Sequence, residues 1–287
     1  MQPGRDEAAR LLNIIPYALP DGADVSPIAA YLGDDTLRMN ARDALQLAGT
    51  TESRRALRTA LIHARGTFAL ALIDALRLLQ DSTALDVLAS RLQDEDPAIR
   101  MAAARALAWT GDAAFIPAFR QVIRGAPRDR VVEAGDAYLT LIGAMYENGG
   151  QFDGVFQSYV WGVRQFENPE LRGAALASLG RCGDERAVPL IIEVLRRERA
   201  GALDHAALEA LAMLPGETAT RAIVTRHAEL LKTLGPSLYG VYGRRGDAVF
   251  TPLLLDALES SDPYAQHVAA QALLDAKHPD GVAAVAP

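Results

Sequence analysis

Asp43, Asp74, Arg105 and Asp136 recur at one interval, each 31 residues after the last. Carboxylates repeated at a fixed step form an acidic ladder that suits a basic partner, and Arg105 interrupts it. Met39, Leu70, Met101 and Val132 repeat four residues before this column, and Leu47, Leu78, Trp109 and Thr140 four residues after it. Looser later copies place Glu209 and Gln271 at the charged position. The chemistry on offer is recognition by charge beside apolar contact.

Catalytic arrangements are poorly represented. His63, His205, His227, His267 and His278 are scattered and none precedes a Glu. His205 and Glu209 stand one helical turn apart, but two ligands fall short of a metal site. The lone cysteine, Cys182, excludes an internal disulfide and a cysteine-built zinc site, and beside Gly183-Asp184 it reads as a packing residue. Nucleophile-elbow, phosphate-loop and dinucleotide fingerprints are missing. The sequence therefore assigns no catalytic residue, no metal and no cofactor.

Half of the 287 residues are apolar but only 6% are aromatic, which suits helices packed closely through Ala and Leu. Gly49, Gln80, Gly111 and Ile142 fall in step as helix stops, with Leu45, Leu76, Leu107 and Tyr138 in one column and Ala44, Ala75, Ala106 and Ala137 in another. Self-similarity at this period marks a repeat array. The clearest copy, Leu92 to Phe119, reads as a helix end, an Asp/Pro turn, an alanine-rich second helix and a Gly-Asp stop. Pro97, Pro169 and Pro263 suit the first turn of second helices, where a missing amide costs nothing. Asp34, Asp96, Asn168 and Asp262 stand where N-caps are wanted. First helices such as Leu85–Leu92, Phe115–Ile123 and Val188–Leu195 carry bulkier Leu, Ile and Val. The expected organisation is one domain over 1–287, with regular repeats over about 25–145, a loop at 147–154 (ENGGQFDG) and looser repeats over 155–287. The N-terminal LLNIIPYALP is expected as helix rather than signal peptide, and the ending GVAAVAP leaves a longer protein open.

These units resemble the HEAT repeat, in the short form shared with phycobilisome lyases, from Val25 to about Val282. The resemblance implies an all-α, right-handed α-α solenoid, a superhelix of about eight helical pairs. It also implies a hydrogen-bonded ladder between a turn Asp and an Arg six residues later, a spacing met by Asp94 and Arg100. Arg38 and Arg172 share the Arg column with shorter turns, and Ala69 replaces it in the second copy. The His-Glu pairs of the di-iron hydroxylases built from such repeats are absent.

If Ile99, Ala103, Ala106 and Leu107 face inward, then at ~100° per residue Met101, Arg105 and Ala108 face away, with Trp109 at the edge. Second helices in such solenoids line the concave surface, which is where binding is expected. The expected groove holds Asp43, Asp74, Arg105, Asp136 and Glu209 beside a partly apolar strip of Met39, Leu70, Met101 and Trp109. This points to a non-catalytic scaffold or adaptor for another protein or peptide, with basic character suited to the acids. A bilin-lyase-like handler of tetrapyrroles is one rival, and a DNA glycosylase built from HEAT-like repeats is a weaker one.

Thirty-six acids against 29 bases give a net charge of −7, which argues against a nucleic-acid holder. Arg54-Arg55 with Arg58, Arg124 with Arg128 and Arg130, and Arg196-Arg197 with Arg199 all have acids nearby. Gly240, Gly243 and Gly246, around Tyr239, Tyr242 and Arg244-Arg245, suit a bend in the array or an anion contact, and the bend is the expectation. No apolar run reaches the ~18 residues of a membrane span, so a cytoplasmic setting without membrane contact is expected.

Overall fold

The computed structural model describes residues 4–197 and 201–277, the side chains of 17 and 18 excepted. Arg199, His278 and the close of the last copy at Pro279 lie outside the described residues. The described residues form an all-α solenoid with no strand, in two compact units divided after Ala144. No helix among them is long and apolar enough to cross a membrane.

In the first unit, α1 (Arg5–Ile14) precedes the pairs α2 (Ser26–Ala29) with α3 (Arg38–Ala48), α4 (Thr51–His63) with α5 (Gly66–Leu78), α6 (Leu85–Ser90) with α7 (Pro97–Leu107), and α8 (Ile116–Arg124) with α9 (Val131–Glu147). Second helix packs on second helix, α3 on α5 and α5 on α7, while α4 and α6 form the other layer. The 31-residue step explains the stacking. Three of its columns, running from Ala41, Ala44 and Leu45 to Ala134, Ala137 and Tyr138, are at most 4% exposed in every copy. Alanine at most of these positions lets helix backbones approach, and the leucines fill what remains.

The stops behave unequally. Gly49 and Gly111 adopt φ of 60° and 62°, the left-handed cap that closes a helix. Gln80 does the same at φ 45°, against the steric preference of a residue with a Cβ. Ile142, expected as the fourth stop, lies buried inside α9. A β-branched residue resists a left-handed cap, so the helix runs on to Glu147 and turns at Gly149, φ 74°. The expected loop over 147–154 accordingly shrinks to 148–151.

Asp96, Asn168 and Asp262 cap their helices, accepting from the amides of Ala98, Leu171 and Tyr264. Asp34 instead accepts from Thr36 and Leu37 and organises the turn before α3. The expected ladder is also redrawn. Arg100 donates to the carbonyls of Asp94 at 2.7 Å, Glu95 at 3.0 Å and Gly125 at 3.3 Å, while the Asp94 carboxylate pairs with Arg91 at 2.9 Å. Arg54 likewise joins Gly49 and Leu79, and Arg91 reaches Leu61, Ile62 and Ala64. These guanidiniums satisfy carbonyls that helix C-termini leave without intrahelical donors.

The second unit holds α10 (Phe152–Gln165) with α11 (Pro169–Cys182), α12 (Ala187–Arg197) with α13 (Asp204–Met213), α14 (Gly216–Thr225) and α15 (His227–Leu234) with α16 (Ser237–Arg245), and α17 (Thr251–Leu258) with α18 (Pro263–Asp275). Here α11, α13, α16 and α18 stack in turn. The approach is close: a Cβ on Gly180 would lie 2.4 Å from the Ala210 Cα, and one on Gly243 2.6 Å from the Ala272 Cα. Gly243, expected to bend the array, therefore serves contact between α16 and α18.

Candidate partner-binding face

The outward positions of α3, α5, α7 and α9 form a grid fixed by the repeat step. Its central column is exposed in all four copies, as Asp43, Asp74, Arg105 and Asp136. On one side Met39 and Val132 are 41% and 40% exposed; on the other Leu47 and Leu78 are each 54% exposed. Leu70 and Trp109 are half-buried. Leucines half open to water beside charge form a surface suited to a partner.

Two sequence-predicted members of the outward face are not there. Met101 is 1% exposed and Ala108 3%. The alanines of α7 draw α5, α6 and α8 close around it, so that Ile99 and Met101 through Ala104 are all buried; the unbranched, flexible methionine packs into that closure. Trp109 belongs to the tight turn Ala108–Thr110 that ends the copy before Gly111. Glu209 is half-buried on α13, in the second unit.

The column is less acidic in effect than its sequence, because arginines stand next to the carboxylates. Arg42 pairs with Asp43 at 2.9 Å. Arg77 donates through Nε and Nη2 to Asp74 Oδ1 at 3.0 and 2.8 Å. Arg105 reaches across to Glu133 on α9 at 3.0 Å, and Arg130 pairs with the same carboxylate at 3.2 Å. Arg77, Arg130 and Glu133 were not among the sequence-predicted residues. Their signal was available, since Arg77 and Glu133 lie three residues from Asp74 and Asp136, where helical neighbours meet.

Two cavities open on this face. One, of about 260 Å³ between α5 and α7, is lined by Leu70, Ala71, Ile73, Asp74, Arg77, Ala98, Ala102, Arg105 and Arg130. The other, of about 480 Å³ between α7 and α9, is lined by Arg105, Ala108, Asp129, Val132, Glu133, Asp136, Ala137 and Thr140. Arg105 belongs to both. The first therefore gathers three guanidiniums around one carboxylate, and the second three carboxylates around one guanidinium.

Comparison with known families finds repeats in each of the two units. Residues 55–138 match the HEAT repeats model, and residues 171–197 match the PBS lyase HEAT-like repeat. The chain thus carries HEAT-type repeats over both stretches. This HEAT-repeat protein matches no curated protein. Among solved structures it is similar to an engineered protein, at 21% identity and TM-score 0.47 over 96% of this chain and 85% of that one. It is also similar to human deoxyhypusine hydroxylase, at 19% identity and TM-score 0.37 over 94% of this chain and 99% of that one.

Elsewhere in the HEAT-repeat array the reactive groups are engaged or dispersed. No three His, Cys, Asp or Glu among the described residues are grouped to hold a metal. Burial pushes the Cys182 thiol up to about 11, and its Sγ donates to the Ser178 carbonyl at 3.2 Å, which disfavours a thiolate nucleophile. His227 shares a 2.7 Å hydrogen bond through Nδ1 with Tyr242 Oη, and burial lowers its pKa. Tyr242 is fully buried and stacks on Phe250 with ring centroids 4.2 Å apart.

Proposed function

We propose that this HEAT-repeat protein is a non-catalytic scaffold that holds a protein or peptide partner, in a cytoplasmic setting, on the α3–α5–α7–α9 face of its first unit. The observation that carries the reading is the repeat-spaced exposure of Met39, Leu47, Leu78 and Val132 on both sides of a charged column. Nothing in the core requires these four to be large and apolar, since each stands 40% or more in water. A partner covering them would gain on the order of 25 cal/mol per Å² of apolar surface removed from water, and the charged column would set its register.

Affinity capture from the source cell tests this, with the wild-type chain beside two variants, Asp43→Lys/Asp74→Lys/Asp136→Lys and Leu47→Ser/Leu78→Ser. A partner bound on this face is retained by wild type and lost from both variants, while their helical content and melting temperature stay near wild type. Equal retention by all three removes the proposal. Visible absorbance after mixing with a bilin, or tight and salt-sensitive binding of duplex DNA, would replace it with one of the rival functions.

A further inference from the structure

Resting on that reading, we infer that the partner presents an extended segment with one acidic and one basic side chain three residues apart, seated in the two cavities that share Arg105. The acid belongs between α5 and α7, in the cavity lined by Arg77, Arg105 and Arg130 together with Leu70 and Ala102. Guanidiniums beside apolar side chains suit a carboxylate, which accepts bidentate bonds while its methylenes cover the alanine. The base belongs between α7 and α9, beside Asp129, Glu133 and Asp136.

The spacing follows from the helices. One cavity lies on each side of α7, so the two are separated by roughly one interhelical distance, about 8–10 Å. A polyproline-type segment rises about 3.1 Å per residue and returns to the same edge every third residue, roughly 9 Å along. An acid and a base at positions i and i+3 therefore reach both cavities from one edge of the segment.

Glu133 already provides the exchange that binding would require. It accepts from both Arg105 and Arg130, joining the two cavities through an intramolecular pair. A carboxylate arriving at Arg105 and Arg130 takes over their donors and releases Glu133 to the incoming cation. Arg105 and Arg130 are 54% and 43% exposed, and ion pairs so open to water are easily traded. Asp74, the one carboxylate lining the acid's cavity, is engaged by Arg77, which donates twice to its Oδ1.

The probes are fluorescein-labelled twelve-residue peptides with proline-rich spacers, containing Glu-x-x-Lys or Lys-x-x-Glu to cover both chain directions. Glu-x-x-Glu and Lys-x-x-Lys in the same spacers are the controls. Anisotropy titrations with the full chain should show one opposite-charge peptide binding at least tenfold tighter than either control. Arg105→Glu should lose at least tenfold on that peptide and shift preference toward Lys-x-x-Lys, with an unchanged melting temperature. Equal binding of all four peptides, binding of none, or an Arg105→Glu variant that keeps wild-type preference would overturn the acid–base register. If those results appear while the Asp43/Asp74/Asp136 variant still loses its captured partner, the face stands and only this register falls.

Discussion

The two units stack second helices on second helices, but they reach close packing by different means. In the first, alanine and leucine columns at a constant 31-residue step bring α3, α5 and α7 together, and these helices carry no glycine beyond their first residue. In the second, Gly180 against Ala210 and Gly243 against Ala272 remove the side chain altogether. The aromatic core of Tyr242, Phe250 and His227 and the clasp of Arg245 on Leu211, Leu214, Thr220 and Asp247 join neighbouring pairs through side chains particular to those places. A constant step makes the outside of the array periodic along with its inside, which is why the first unit presents a grid. A unit assembled from individual contacts has no such obligation.

The sharpest way to break this contrast is to attack the register of the first unit. Ala103 is fully buried in a column with Ala41, Leu72 and Ala134. Ala103→Asp places an unpaired carboxylate there and should cost about 3 kcal/mol or more. Chemical denaturation would measure it, and a variant as stable as wild type would show that the column does not face the core.

Next in size is the glycine contact of the second unit. Gly180→Ala sets a methyl against Ala210 backbone atoms that cannot rotate away, so α11 and α13 must separate. Overpacking of this kind costs about 1–3 kcal/mol, although alanine is ordinarily the better helix former by about 1 kcal/mol. A stabilised Gly180→Ala variant would remove the distinction between the two modes of packing.

Acid should separate the units in a smaller and graded way. Burial lowers the pKa of His227, so the unfolded chain takes up its proton first. The stability held by the neutral imidazole is complete above the ordinary histidine pKa, near 6.5, and is lost progressively as pH falls below it. Asp81, in the first unit, is opposed by burial but held below the usual carboxylate range by hydrogen bonds from Thr83 and Arg58, the latter at 2.7 Å. Its contribution is complete above about pH 4 and is lost only in stronger acid. Melting temperature followed from pH 7 to 3 should fall in two stages. His227→Gln should flatten the first and Asp81→Asn the second; a first stage unaltered by His227→Gln would assign it elsewhere.

Much of the first unit was legible because a residue's environment repeats when its spacing repeats. The charged column was read from the 31-residue step alone and is exposed in all four copies. The failures came where neighbours, rather than periodicity, decide. Met101 shares a column with exposed Met39 but is buried by helices drawn in by alanine, and Ile142 occupies a stop position that its branched side chain cannot serve. Arg100 kept its joining role but chose carbonyls over the Asp94 carboxylate. In the second unit, Gly243 looked like a bend because its partner, Ala272, is 29 residues away in the chain and offers no local signal.

The smallest effect on stability belongs to the grid itself, and its smallness is the point. Leu78 is 54% exposed and Asp74 half so, in a pair with Arg77 on the same helix turn. Exposed positions away from caps and core shift stability by about 0.5 kcal/mol or less. An i,i+3 pair open to water contributes about as little. Leu78→Ser and Asp74→Asn should therefore melt within a degree or two of wild type. If Leu78→Ser is clearly destabilising, the leucine is packed within the repeat and the apolar side of the face loses its claim to a partner. If both variants melt as wild type while partner capture falls, the periodic exterior of the first unit has a use that its folding does not explain.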